Sequence, residues 1–450
     1  MPKVLMVTPY WPPVNKVGVW RALRTARYLP DYNWTPVICT PRPEQVYKHE
    51  PLLDSSCNAP PLEVIKPDTF IPSIATLRSF GRLKTLVEQQ VSHKNALYKP
   101  LRQITEWMDR GSFRLIAELL LPDQFVEWGM QLALQYKRGQ LQELKDIDVV
   151  WVTGGPFGFF VAGALLAEVL NKPLVLDYRD PWTTHRPART WWVAPPQSLF
   201  RKIEAWALAQ ASAVAYIHHE AMIANRAAFG QEPNSLWSVI INSFDPIDLG
   251  DLPPRSLSAE SNAPAIVYAG NFYNERSAVP IIKALLRLEQ EDPQGQSYPI
   301  TLHLFGQLDR PAQDLLKQTP LTQHRLKLYA RHSAEEIGAI MKSAEALLLV
   351  IGESGGHQVA LSGKIWDYLA AGAPILGIGP RIASAKKMIN QHQLGIWANS
   401  DNQDDIVRTL QQISLGKIKR PKAQALEQFH ASKMSAKVAQ LLNHAYQQSL

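Results

Sequence analysis

Short apolar runs alternate along most of the chain with segments in which apolar residues recur every three to four positions. The first kind reads as buried parallel strands and the second as helices packed on them. KVLMVTPY (3–10) is such a strand, followed by a proline-rich loop. VWRALRTARYLP (19–30) has helical period, and WTPVICT (34–40) is the next strand. The alternation resumes at 148–170, where DVVWVTG runs through Gly154, Gly155 and Pro156 into FGFFVAGALLAEVL. That apolar helix has 14 residues and carries Glu168, too short a run to span a bilayer. NKPLVLDYRDPWT (171–183) predicts a buried strand ending in a charged loop. KIEAWALAQASAVAYIHH (202–219) predicts a helix and a strand, and INSFDPIDL (241–249) a terminal strand and turn.

DLPPRSLSAESNAP (250–264) breaks the pattern and reads as a linker. A second strand–helix series starts at AIVYAGNFYNERS (265–277) and continues through the apolar runs at 302–308, 326–333, 345–352 and 374–379. The fold class expected is therefore α/β, with two Rossmann-like domains and a cleft between them. The N-terminal one covers 1–250, with a helical, basic insertion at about 60–145. The C-terminal one covers 251–424, and a helix at 425–450 is expected to pack back on the first. The opening unit lacks Gly-x-Gly-x-x-Gly, so no dinucleotide cofactor is expected.

Composition narrows the class. The chain has 450 residues, 46% hydrophobic and 19% charged, as in globular proteins. Two cysteines, Cys39 and Cys57, give neither a disulfide framework nor a metal-ligand spacing. No signal peptide is visible, and a reducing cytoplasm is the simple expectation. The net charge of +7 is uneven: residues 78–114 hold eight Lys/Arg against three Asp/Glu. Interleaved Leu, Ile, Trp and Phe make this stretch a candidate for peripheral docking on an anionic cytoplasmic membrane. A solvated helical insertion fits the same residues.

Candidate chemistry centres on SGKIWDYLAAGAPIL (362–376). Ser362 and Gly363 stand where a helix should begin, so its unpaired N–H groups and dipole would favour an anion such as a diphosphate. Lys364 and Asp367 follow one turn apart. The lysine suits the diphosphate and the carboxylate suits ribose hydroxyls, although a capped helix with an exposed salt bridge has the same pattern. In the first half, Gly18 permits close backbone approach and Arg21 offers a fork for phosphate. The plain alternative is a turn with a surface arginine.

The 362–376 segment resembles the Lys-x-x-Glu-Tyr-Leu-Ala-x-Gly-x-Pro signature of glycosyltransferase family 4, in the second domain of the GT-B fold. Lys364, Tyr368, Leu369, Ala370, Gly372 and Pro374 match, and Asp367 stands where the family has Glu. The resemblance extends to the opening loop with Gly18 and Arg21, and to INSFDPIDL. LPDQFVEWG (121–129), GGPFGFF (154–160) and LDYRDPWT (176–183) are similar to a subset of these enzymes. Arg179 falls near the family's cleft histidine. An arginine is no general base at neutral pH, so its expected part is to position acceptor or stabilise departing charge, with Asp180 and Asp177 within reach. A structural Asp–Arg pair in that loop is the alternative. AGNFYNERS aligns with Gly-Arg-x-x-x-x-Lys, whose cations grip the diphosphate. Here Asn271 replaces the Arg and Arg276 matches the Lys. The family's donor-sugar Glu falls at Val359, leaving Glu353 and His357 as substitutes.

The resemblance implies a retaining, metal-independent transfer of sugar from a nucleotide-sugar to a glycan or lipid-linked acceptor, in surface polysaccharide or glycolipid synthesis. It implies no cofactor and no nucleic-acid partner. Arg276, Lys364, Arg179 and Asp180 are the expected catalytic residues. Gly18, Arg21, Asn271, Glu353, His357, Ser362, Gly363 and Asp367 are expected to bind substrate. A nucleotide-sugar epimerase on the same fold, or a non-catalytic nucleotide- or glycan-binding protein, is the alternative.

Overall fold

A computed structural model of the chain describes residues 1–46, 59–68, 123, 125–184, 197–230, 235–258, 263–273, 275–330, 332–353 and 361–450. The basic stretch 78–114, His357 and Val359 lie outside the described residues.

Two compact units emerge. The first is drawn from Met1–Ser55, Ala59–Asn242 and Met434–Leu450, the second chiefly from Ser243–Lys433. The first holds a seven-stranded parallel sheet among its described residues. Its strands are β1 (Lys3–Val7), β2 (Thr35–Cys39), β3 (Glu63–Ile65), β4 (Val149–Gly154), β5 (Leu174–Tyr178), β6 (Ala211–Tyr216) and β7 (Leu236–Val239). Their order is β3-β2-β1-β4-β5-β6-β7. The central strands are buried on both faces, which is why they read as continuous apolar runs rather than alternating ones.

The second unit repeats the plan with β8 (Ala265–Ala269), β9 (Thr301–Phe305), β10 (Leu326–Tyr329), β11 (Ala346–Val350), β12 (Ile375–Gly379) and β13 (Gly395–Asn399), in the order β10-β9-β8-β11-β12-β13. In both sheets the strand order reverses beside the first strand, between β1 and β4 and between β8 and β11. Open parallel sheets bind ligands outside the carboxyl ends of their strands at such a point.

Two of the conspicuous sequence motifs in the first unit explain its packing. Asp123 Oδ1 accepts from the N–H of Phe125 at 2.9 Å, and its Oδ2 from the N–H of Gly158 at 2.7 Å. One carboxylate thus caps the helices Phe125–Lys137 and Gly158–Leu170. A Cβ on Gly129 would collide with Ala162, so the glycine lets these two helices touch.

INSFDPIDL differs from its sequence reading. The strand lies earlier, at Leu236–Val239, and Pro246–Leu249 is a 3-10 turn capped by Asp245, whose Oδ1 accepts from Ile247 N at 3.1 Å. The unit boundary falls between Asn242 and Ser243, ahead of the linker that composition marks, because Phe244 is held by the second unit. Its N–H donates to Phe429 O and its carbonyl accepts from Ala431 N. The final helix, Ala431–Gln448, contributes Met434 onward to the first unit, where Asn443 Oδ1 accepts from Trp34 Nε1 at 2.9 Å. No helix among the described residues is long and apolar enough to cross a membrane.

Candidate functional site

In the second unit, the carboxyl ends of β8 and β9 are brought together by two glycines. Gly270 and Gly306 have φ of +133° and +141°, values that L side chains rarely adopt. A Cβ on Gly306 would strike the Gly270 carbonyl, so the two loops are in contact at their backbones. Gly270 N–H donates to Phe305 O at 2.8 Å and Phe272 N–H to Gln307 O at 2.9 Å.

Lys364, at the start of the helix Lys364–Ala371, reaches across to this loop. Its Nζ donates to Ala269 O and lies 4.9 Å from the centre of the Tyr268 ring. A Cβ on Gly270 would collide with the same ammonium. Burial lowers the lysine's pKa from its usual range; Asp367 opposes that shift and Arg276 adds to it. Both of these charges therefore act on Lys364.

Arg276 sits in a tight loop in which Tyr273 and Arg276 exchange both backbone hydrogen bonds. Its guanidinium lies 5.5 Å from the Tyr273 ring centre, and Nη1 donates to that tyrosine's hydroxyl at 3.0 Å. Its Nε is buried with no hydrogen-bond partner among the described residues. Asp309 steadies the adjoining turn by accepting from Ser277 Oγ at 2.6 Å and Ala278 N at 2.9 Å. An unsatisfied donor on a cation, beside a second cation, is a place for an anion.

Other expected residues take different positions. Ser362 is not the helix cap. Gly363 occupies that position without a side-chain bond, while Ser362 is buried and its carbonyl accepts from Ile365 N at 3.1 Å. Asn271 carries no charge in place of the missing Arg, and its Oδ1 accepts from Gln307 N at 3.0 Å, joining the two loops. Glu353, exposed after β11, accepts from Ser400 Oγ.

In the first unit, Arg21 turns inward. Its Nε and Nη2 each lie 2.6 Å from an oxygen of Asp177, and it also donates to the carbonyls of Ile240 and Ile241 at 3.0 and 3.2 Å. Both partners of the pair are buried. Its fork is committed within the fold and does not point to a ligand, correcting the phosphate-binding expectation. The structural Asp–Arg pair of this region is thus Arg21–Asp177.

Arg179, just past β5, folds back over the β4 loop. Its Nε donates to Gly154 O at 2.9 Å, its Nη2 donates to Gly155 O, and it lies 5.4 Å from the Tyr10 ring centre. A Cβ on Gly18 would collide with both Arg179 and Tyr10. Desolvation lowers the Arg179 pKa, with Tyr10, Asp177 and Asp180 opposing and Arg21 adding to it. Tyr10, Gly18, Gly155, Arg179 and the exposed Asp180 therefore form one rim at the carboxyl ends of β1, β4 and β5.

Sequence reasoning missed two features. Gly306 is marked only by standing just after an apolar run, the position of Gly270. The aromatic edge of β9 and β10 joins Phe305 and Tyr329, stacked 4.4 Å apart, with His332 edge-on to Phe305 at 5.0 Å. Its signal is the recurrence of aromatic residues at matching strand ends.

No protein-family model matches the chain, and no curated relative matches it. Solved structures do match. The α,α-trehalose-phosphate synthase (UDP-forming) of Burkholderia xenovorans, in complex with glucose-6-phosphate, is 13% identical with a TM-score of 0.58, covering 98% of this chain and 100% of its own. HepE of Anabaena, in complex with UDP and glucose, is 14% identical with a TM-score of 0.51 over 98% and 100%. The lipopolysaccharide outer core galactosyltransferase WaaB, in apo form, is 11% identical with a TM-score of 0.51 over the full length of both chains. The chain has the GT-B fold. Each GT-B unit carries one of the two clusters at the carboxyl ends of its parallel strands.

Proposed function

We propose that the chain is a glycosyltransferase that uses a nucleotide-sugar donor. The observation that carries this reading is the grouping of Arg276, Lys364 and Asp367 around the Gly270 loop at the strand-order reversal of a GT-B unit. The glycines bring the two loops into backbone contact and let the Lys364 ammonium lie against Gly270. Arg276 and Lys364 supply the positive charge, and Asp367, one turn into the helix, serves the ribose. Structures with this fold bind UDP with glucose, or glucose-6-phosphate, which supports a sugar donor and a sugar-like acceptor.

In the reaction the bond from the anomeric carbon to the diphosphate oxygen breaks, a bond to the acceptor oxygen forms, and the acceptor hydroxyl's proton passes to the departing diphosphate. Negative charge develops on the departing diphosphate, and Arg276 and Lys364 stabilise it there. Arg179, fixed by two carbonyls and the Tyr10 face, positions the acceptor; Asp180 is the exposed carboxylate beside it. Retention at the anomeric carbon and family 4 membership belong to this proposal on the motif around Lys364. So does metal independence, because two cationic side chains can take the metal's place at the diphosphate. Work at an anionic cytoplasmic membrane in polysaccharide or glycolipid synthesis rests on the charge of 78–114.

The test is a donor screen by thermal shift followed by transfer assays with and without EDTA. A ligand that binds the folded state raises the melting point. One nucleotide-sugar should stand out and should yield sugar transfer that survives chelation. Epimerised donor without transfer, or nucleotide binding with neither reaction, would replace this reading.

A further inference from the structure

The loop that carries Arg179 and Asp180 continues into a buried polar network that the reaction itself does not use. Glu204, on the helix Gln197–Ala209, is fully buried. Its Oε2 accepts from the backbone N–H of Thr183 at 3.0 Å and from the Thr183 hydroxyl at 2.6 Å. Its Oε1 accepts from Asn225 Nδ2 at 3.2 Å. Asn225, also fully buried, donates its other N–H to the Tyr216 hydroxyl at 3.0 Å, and its Oδ1 accepts from the Thr184 hydroxyl at 2.7 Å. Between Asp180 and Thr183, the buried Trp182 stacks on Phe157 at 5.2 Å with the rings nearly parallel.

We propose that Glu204 is a positioning residue, which with Asn225 holds the 179–184 loop in the one conformation that presents Arg179 and Asp180. This rests on the transferase reading only in what the loop is for. Burying a carboxylate is costly unless every oxygen is served, and burial does push the Glu204 carboxyl up, with Thr183, Asn225 and Tyr178 pulling it back. Both oxygens are served, by three hydrogen bonds in all. A surface loop needs no such network for stability, because an apolar side chain of similar volume would pack as well. The network supplies direction instead: Glu204 and Asn225 are complementary as acceptor and donor, and both end on the loop.

That complementarity can be broken and restored. Glu204→Gln can be served if Asn225 turns its amide over, its Oδ1 then accepting from the new N–H and from the Tyr216 hydroxyl and its Nδ2 donating to the Thr184 hydroxyl, so Glu204→Leu is the variant that strands the Thr183 and Asn225 donors. Asn225→Asp sets two carboxylates against each other. The Glu204→Gln/Asn225→Asp double variant restores a full set. Its glutamine amide donates to the new carboxylate at position 225, its glutamine oxygen serves Thr183, and the Tyr216 hydroxyl turns to donate.

The experiment reads hydrogen exchange of the amides at 179–184 together with transfer kinetics and nucleotide affinity. Glu204→Leu and Asn225→Asp should each speed exchange in that loop and lower kcat/KM for acceptor about tenfold or more. Nucleotide affinity should be unchanged, and the double variant should recover both exchange and rate. Thr184→Val, which removes one bond at the half-buried rim, should give a smaller effect of the same kind and serves if a buried variant does not fold. Wild-type exchange in Glu204→Leu, or a Glu204→Gln/Asn225→Asp double variant no better than Asn225→Asp alone, would overturn the proposal. Restored exchange with no transfer by any form, wild type included, would uphold the restraint on the loop and count against the transferase reading.

Discussion

Arg21 and Asp177 form a buried, two-pronged ion pair, with both nitrogen–oxygen distances 2.6 Å, between the first helix and the end of β5. Breaking one half of such a pair leaves an uncompensated buried charge, at a cost of about 3–5 kcal/mol. Arg21→Ala should therefore lower the unfolding transition of the first unit in calorimetry and leave nucleotide-induced stabilisation of the second. Arg21→Lys, which keeps the charge and loses the fork, should fall between. A stable Arg21→Ala protein that had lost only ligand affinity would return Arg21 to the binding residues.

Arg276→Ala should weaken binding of a nucleoside diphosphate with little loss of stability, since the protein contacts it gives up are an exposed bond to the Tyr273 hydroxyl and that ring's face. A charge-assisted contact is worth about 2–3 kcal/mol, or roughly 30- to 150-fold in affinity. Isothermal titration with the diphosphate checks it. Asp367→Asn should raise the donor KM and spare kcat, the pattern for a group that holds ribose away from the breaking bond.

The lowered pKa of Lys364 gives a pH dependence with a definite sign. Its ammonium is lost on raising pH sooner than that of an exposed lysine. Diphosphate affinity should thus fall as pH rises through the lowered value, and Lys364→Arg should extend affinity to higher pH. Stability moves oppositely. The unfolded lysine holds its proton more tightly, so this residue's contribution rises with pH between the folded and unfolded pKa values. Affinity and melting temperature measured across the same alkaline range test both statements.

Gly18→Ala should reduce transfer by displacing Arg179 and Tyr10, without altering nucleotide affinity, because all three residues belong to the first unit. Gly270→Ala should instead abolish nucleotide binding, since its side chain would occupy the Lys364 ammonium's place at a φ of +133°. Steady-state kinetics and diphosphate titration separate the two.

The α/β alternation was legible because strands buried on both faces leave continuous apolar runs, and β1, β8 and β12 all fall inside the runs that predict them. The Lys364 helix was legible in type, but its cap was not. A serine before a helix signals a cap only if its side chain turns to the first N–H groups, and Ser362 is drawn into the interior instead. Arg21 was misleading for a different reason. Its partner Asp177 lies 156 residues away, and no local pattern distinguishes a fork that grips a ligand from one that grips a distant strand. Glu204 and Asn225 meet across two helices, likewise beyond any periodicity.

Trp34, whose indole donates to Asn443 and meets Tyr446 edge-on at 5.9 Å, is buried by residues from the last stretch of the chain. The first unit is therefore finished last during synthesis. Everything from Ser243 to Lys433 can leave the ribosome and fold while the amino-terminal sheet still lacks its closing helix. Until Met434–Leu450 emerges, the Trp34 indole lacks the Asn443 acceptor and the Tyr446 ring that help to bury it, and a nascent chain stalled in this interval presents that side chain to chaperones.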